Sequence, residues 1–212
     1  MSDSLMTAQQ VTDLFTRADD RYVFARWSRP LCPIVFGVDD ASLSVIKGAI
    51  EAVVTLADHK MAETDPELGA NFMLFFVRDW GEVLGVPDLD RLVPDLAPLV
   101  AKLKDADANQ YRIFRFEEDG AIKACFAFVR MDDQMAQIAA EDLALNQAVQ
   151  AIVLWSDRAF TTTSPMARLQ DRTILRPEIA AVVRACYDPI LPPAATDASH
   201  ALRVAARMGQ GH

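Results

Sequence analysis

The stretch YRIFRFEEDGAIKACFAFVR, Tyr111 to Arg130, decides the fold. Two runs rich in β-formers flank Asp119-Gly120, a pair of the kind that favours a two-residue type I′ turn, so the segment reads as a β-hairpin. In its second half Ile122, Ala124, Phe126 and Phe128 alternate with Lys123, Cys125, Ala127 and Val129. One face is plainly apolar and the other is expected to be half buried.

Upstream, Asn71 to Arg78 reads NFMLFFVR, a nearly continuous apolar run suited to a central strand covered on both faces. Between it and the hairpin, Pro87, Pro94 and Pro98 break Trp80 to Lys104 into short helices, with Leu96, Leu99, Val100 and Leu103 facing inward. Tyr22 to Val38 is rich in β-formers, and its interruption by Pro30 and Pro33 suits an edge strand or a bent entry into a strand. Asp39-Asp40 opens a helix to about Asp58, with Leu43, Ile46, Ile50, Val53, Val54 and Ala57 on one stripe. Thr7 is a candidate cap for a first helix carrying Val11, Leu14 and Phe15.

Downstream, a long helix is expected from about Asp133 to Trp155, burying Met135, Ile138, Leu145, Val149 and Ile152. Thr161 to Ser164 is a polar loop, Pro177 starts a helix reaching Tyr187, and Asp197 to Met208 forms a terminal helix. The expected fold class is α+β. A mixed twisted sheet of about four or five strands carries the Asp40–Asp58 and Asp133–Trp155 helices on one face, and a helical cap follows Ser156. Residues 1–212 are read as one domain: an N-terminal helical extension (1–20), an α+β core (21–157) and a C-terminal helical subregion (158–212). The sequence shows neither an internal repeat nor an internal linker long enough to mark a boundary.

The composition bounds the function classes. The chain has 212 residues, 51% of them hydrophobic, and a formal net charge of -9. A chain with that charge offers no general basic face, which argues against nonspecific binding to nucleic acid or to an anionic membrane. Cys32, Cys125 and Cys186 are too far apart for a zinc knuckle or a disulfide framework, so buried reduced thiols are expected. The polar start, Met1 to Gln10, lacks a basic segment followed by an apolar one, and the expected location is the cytoplasm.

Four pieces, in order, resemble a bacterial domain-of-unknown-function family, number twenty-nine twenty-seven. They are RWSRPLCPIVFGV (Arg26 to Val38), Asn71-Phe72 opening an apolar strand, QAIVLWSD (Gln150 to Asp157), and LRPEIAAVVRACYDPIL (Leu175 to Leu191). That family's long helix looks like the zincin helix of metzincin proteases, HExxHxxGxxHD. The resemblance puts the three histidine positions at Asn146, Gln150 and Ser156, the glutamate at Gln147, the glycine at Val153 and the trailing aspartate at Asp157. Ser164-Pro165-Met166 falls in the place of the Met-turn.

The chemistry of those replacements is plain. Three neutral imidazoles would hold zinc and leave one position for water, and the glutamate would take that water's proton. Two amides and a hydroxyl are poor zinc ligands beside imidazole, and Gln147 cannot accept a proton. The resemblance therefore implies a zincin-like pseudoenzyme, a binding or interaction module with no metal and no cofactor. Its candidate cleft residues are Asn146, Gln147, Gln150, Trp155, Ser156 and Asp157, and its partner is an unknown protein or small molecule. Two alternatives stand beside it. One takes the amides as a solvated helix face with Asp157 as a cap. The other is a hydrolase using Asp157, Glu141 or Asp142 with a thiol or His59. Self-association into a homo-oligomer is a third reading. His59 is explained by its helix end, and His200 and His212 lie in a terminal segment prone to fraying.

Overall fold

The computed structural model describes residues 6–170 and 172–209. In chain order the elements are α1 (Ala8–Phe15), β1 (Phe24–Ala25), β2 (Pro33–Phe36), α2 (Asp40–Leu56) and β3 (Phe72–Val77), then a 3₁₀ stretch (Trp80–Gly85), α3 (Leu89–Leu92), α4 (Leu96–Asp105), β4 (Gln110–Phe116) and β5 (Ile122–Arg130). A 3₁₀ turn (Met135–Gln137) leads to α5 (Ala140–Ile152), β6 (Met166–Leu169), β7 (Arg172–Leu175), α6 (Pro177–Cys186), β8 (Ala194–Ala195) and α7 (Ser199–Met208).

The main sheet has strand order β2-β3-β5-β4, with β2, β3 and β5 parallel and β4 antiparallel to β5. Pro33 opens β2 at the sheet edge, where a missing N–H costs least. Gly37 ends that strand at φ +81, and a Cβ there would lie 2.0 Å from the Phe76 carbonyl oxygen, so only glycine fits. Asp39 then caps α2 by accepting from the Ser42 N–H.

Both faces of the sheet are covered, not one. Phe72, Leu74, Phe76, Cys125, Ala127 and Val129 share a core with α2 and α5, which pack on each other. Phe75, Val77, Ala124, Phe126 and Phe128 pack under Trp80, Val83, Leu89, Leu96, Val100 and Leu103. α2 and α5 lie on one face as expected and bury the side of Cys125, Ala127 and Val129, expected to be half-buried; the expectation of helices on that face alone is corrected by the second layer. Its short helices are too broken by proline to show a long amphipathic period.

Four further expectations are revised. The hairpin forms, but its tip is a three-residue loop: Glu117 and Ala121 pair, the Gly120 N–H bonds the Glu117 carbonyl, and Gly120 alone of the tip takes positive φ, +84. That is a type I turn followed by a left-handed glycine, not a type I′ turn. The long helix starts later and ends earlier than its periodicity implies. Met135 sits in the separate 3₁₀ turn, Ile138 is 43% exposed, and the chain from Val153 is extended. The C-terminal region is not wholly helical, since β6 and β7 form a hairpin and β8 pairs with β1. α1 packs against α7 rather than standing apart as an extension.

His200 is fully buried rather than frayed, while His212 lies outside the described residues. Its ring stacks on Phe24 at 4.2 Å, and its Nδ1 shares a 2.8 Å hydrogen bond with the Tyr22 hydroxyl. Nε2 has no partner.

The C-terminal end of α5 is buried, and its carbonyls find donors from three aromatic side chains. Trp155 Nε1 donates to Val149, Trp27 Nε1 to Ala151 and the Tyr187 hydroxyl to Ile152, at 2.8, 2.8 and 2.7 Å. A helix end has up to four carbonyls without an intrahelical partner, and burying one unmet is costly.

Two outcomes follow from these contacts. Trp27→Phe keeps most of the ring but strips the Ala151 carbonyl of its donor. It is expected to lower stability by about 1–3 kcal/mol, read as a lower urea midpoint at unchanged slope. Burial, then the charges of Arg203 and Arg26, push the His200 imidazole down to about 4. The unfolded chain takes up that proton at about pH 6.5, so stability is full above that value and falls as pH drops toward 4. The loss should total about 2–3 kcal/mol and vanish from the pH profile of His200→Leu.

Candidate functional site

Asn146, Gln147 and Gln150 lie on one side of α5, as positions i, i+1 and i+4 require. They are not a solvated face. Gln147 is 1% exposed, and Asn146 and Gln150 are half-buried. The sheet fills the space in front of them with Arg112 of β4. Its Nη2 donates to Gln147 Oε1 at 2.7 Å and to Gln110 Oε1 at 3.1 Å, and its Nη1 donates to Gln150 Oε1 at 2.7 Å. Gln147 Nε2 donates to Gln110 Oε1 at 2.8 Å, and Gln150 Nε2 donates to Asn146 Oδ1. The amide oxygens thus surround a cation that the chain itself supplies.

No carboxylate pairs with that guanidinium among the described residues, and Arg112 Nε is buried without an acceptor. Burial pushes the Arg112 group down to about 10. The half-buried Arg112 charge is thus hydrogen-bonded by neutral amides but not neutralised.

The other expected site residues do different work. Ser156 Oγ faces the α1 side, where it donates to the Asp13 carbonyl and accepts from the Arg158 and Ala159 N–H groups. It takes no part in the amide cluster. Asp157 is exposed, and its Oδ1 caps the Ala18 N–H at 2.9 Å. Trp155 stacks on Phe15 at 5.4 Å and meets Phe160 edge-on. Val153 is extended at φ -139 and bridges to Arg26, so the left-handed turn that a glycine would make is not attempted. Met166 opens β6.

A cleft of about 490 Å³ runs between β4 and the chain leaving α5. Gln150, Trp155, Ser156 and Asp157 line it, whereas Asn146 and Gln147 do not. Five of the seven residues of β4 line it too, including the consecutive run Tyr111 to Phe114. Neighbours in a strand point to opposite faces, so a cleft touching all of them follows the strand's free edge. Phe160 closes the far wall in a left-handed conformation, φ +64. That conformation is unfavourable for a bulky side chain and is held by packing on Trp155.

The residues of the hydrolase alternative do not meet. Glu141 and Asp142 sit in the first turn of α5 and Asp157 lies beyond its other end, about 20 Å away along the helix. His59 Nε2 bonds the Arg29 carbonyl and its ring packs on Tyr187. All three thiols are free and buried, and burial raises each, Cys125 to about 12. Among the described residues no three of His, Cys, Asp and Glu form a metal-holding group. Among the acids near the hairpin ends, Glu117 pairs with Arg29, and Asp132 with Arg130 at 3.2 Å.

Arg112 was the residue that helix patterning missed. It shares strand parity with Phe114, which packs on the core next to α5, so a charge at that position needs a buried partner. The described residues hold no helix long and apolar enough to cross a membrane. No protein-family model, no curated protein and no solved structure matches this chain.

Gln147→Glu is the informative substitution here. A carboxylate at this position faces the guanidinium, which holds its titration below the usual glutamate range. The variant should gain about 1–2 kcal/mol over the parent at pH 7. The gain is present above about pH 4.3 and disappears as pH falls through the lowered value, which paired denaturation curves at pH 7 and pH 3 would read.

Proposed function

We propose that this chain is a binding module of zincin-like descent, in which the metal position has passed to an internal guanidinium and the neighbouring cleft receives the ligand. The observation that carries this reading is the Arg112 fork held by Gln110, Gln147 and Gln150. Amide oxygens that already accept from a cation have little left to offer a second one. A divalent ion entering the cluster would also face the repulsion of the guanidinium. With Gln147 unable to take a proton, water activation in the zincin manner has neither its Lewis acid nor its base.

The cleft suits a binding role on separate grounds. Its size falls in the range of small-ligand sites, and its walls combine aromatic side chains with a few polar groups. It also follows an unpaired strand edge, whose free N–H and C=O groups can pair with an extended segment. The partner is accordingly a small molecule or a short stretch of polypeptide.

Elemental analysis of protein purified from zinc-supplemented culture tests the reading. Zinc far below one equivalent per chain is expected, with no change in melting temperature on adding a chelator. One tightly held zinc per chain would overturn it.

A further inference from the structure

We infer that Arg112 is the anion-recognising residue of the cleft and that the ligand carries a carboxylate on an apolar body. This rests on the binding-module reading and adds the chemistry of its ligand. Arg112 has five N–H donors, and three bonds from its terminal nitrogens go to amide oxygens. Among the described residues Nε–H is without an acceptor, as it is in Arg26 and Arg130, and Nη1 makes one bond, to the Gln150 amide that lines the cleft. A second arginine, Arg17, also lines the cleft and makes no ion pair among the described residues. Among the described residues the only acid on the wall is Asp157, which is exposed and already caps Ala18.

Two arginines against one acid is a local excess of positive charge in a chain whose net charge is -9. Of the half-buried arginines, Arg29 and Arg130 are matched by carboxylates, whereas Arg26 and Arg112 are held by neutral oxygens alone among the described residues, and of these two Arg112 lines the cleft. Arg112 is held in place by amides and left without its counter-charge. Amides orient the fork without neutralising it, so its attraction for an incoming anion is kept.

The walls say what accompanies the anion. Tyr111, Ile113, Phe114, Leu154, Trp155 and Phe160 present rings and aliphatic groups. A planar carboxylate matches a guanidinium fork, and an apolar or aromatic body fits these walls. A small multivalent anion such as phosphate has no body to place there.

Sodium benzoate is the probe, with benzamide as its neutral isostere and inorganic phosphate as the bodiless anion. Each is titrated into ¹⁵N-labelled full-length protein, following the Arg112 Nε–Hε signal, which Arg112→Lys identifies by its loss. Benzoate should shift that signal saturably, while benzamide and phosphate should not. In Arg112→Lys, benzoate affinity read by calorimetry should fall about 10- to 100-fold, and in Arg17→Gln by less. No saturable benzoate response in the parent protein overturns the proposal, as does an equal response to benzamide or to phosphate. Equal benzoate affinity in a folded Arg112→Lys overturns it as well. The parent-protein titrations decide the matter even if the variant fails to fold. Failure here in zinc-free protein sinks only the carboxylate assignment, whereas stoichiometric zinc in the same preparation sinks the reading beneath it.

Discussion

The end of α5 must be buried and must not be left unbonded, and much of the molecule is arranged around that requirement. The indoles of Trp27 and Trp155 and the hydroxyl of Tyr187 reach the carbonyls of Ala151, Val149 and Ile152 from three separate parts of the chain. An unmet buried carbonyl costs more than a typical hydrogen bond contributes, so these donors constrain the fold more than their number suggests. They also explain why distant sequence pieces belong together. Arg26 donates to the Leu191 carbonyl and lies over the Tyr187 ring, so the Arg26-Trp27 and Tyr187-Asp188-Pro189 segments meet at one helix end. Asn71 does the same at the strand end, bonding Cys32, Pro30 and Asp65 at once.

Fixing the helix end sets the rotation of α5 about its axis. Its amide side then faces the sheet at β4, and Arg112 meets Gln147 and Gln150. A guanidinium at the centre of an amide cluster is covalently attached and always present, independent of metal supply. The cost is a buried charge whose hydration is lost, and the amides recover only part of it. That residual imbalance is what a ligand carrying the opposite charge can relieve.

How much of this was readable beforehand depends on whether the deciding contact is local. The hairpin, the central strand at Asn71 to Arg78 and the α2 stripe rest on period and capping, which a window of residues contains. The Asp119-Gly120 turn was misread because Asp119 keeps negative φ, its carboxylate accepting from the Ala121 N–H. The apolar run at Asn71 to Arg78 implies a cover on both faces, but the proline-interrupted helices that supply the second one carry no sustained period. In the site, the three amides were legible as a constellation on one helix, but their partner lies 35 residues from Gln147, on another element. Ser156 was placed by a spacing that assumes a glycine turn after the helix. With Val153 extended instead, that spacing delivers its hydroxyl to α1.

The choice of amides over acids is the remaining step. A glutamate at Gln147 would satisfy Arg112 more completely, and Arg29 and Arg130 show that this chain pairs arginine with acid elsewhere. A neutralised Arg112 would be a structural tie and nothing more. Amide oxygens hold the guanidinium plane in the same orientation at a smaller electrostatic gain, and leave the positive potential projecting toward the cleft beside Gln150. In the binding reading proposed above, stability is forgone beside the cleft, where an unneutralised charge would discriminate between ligands.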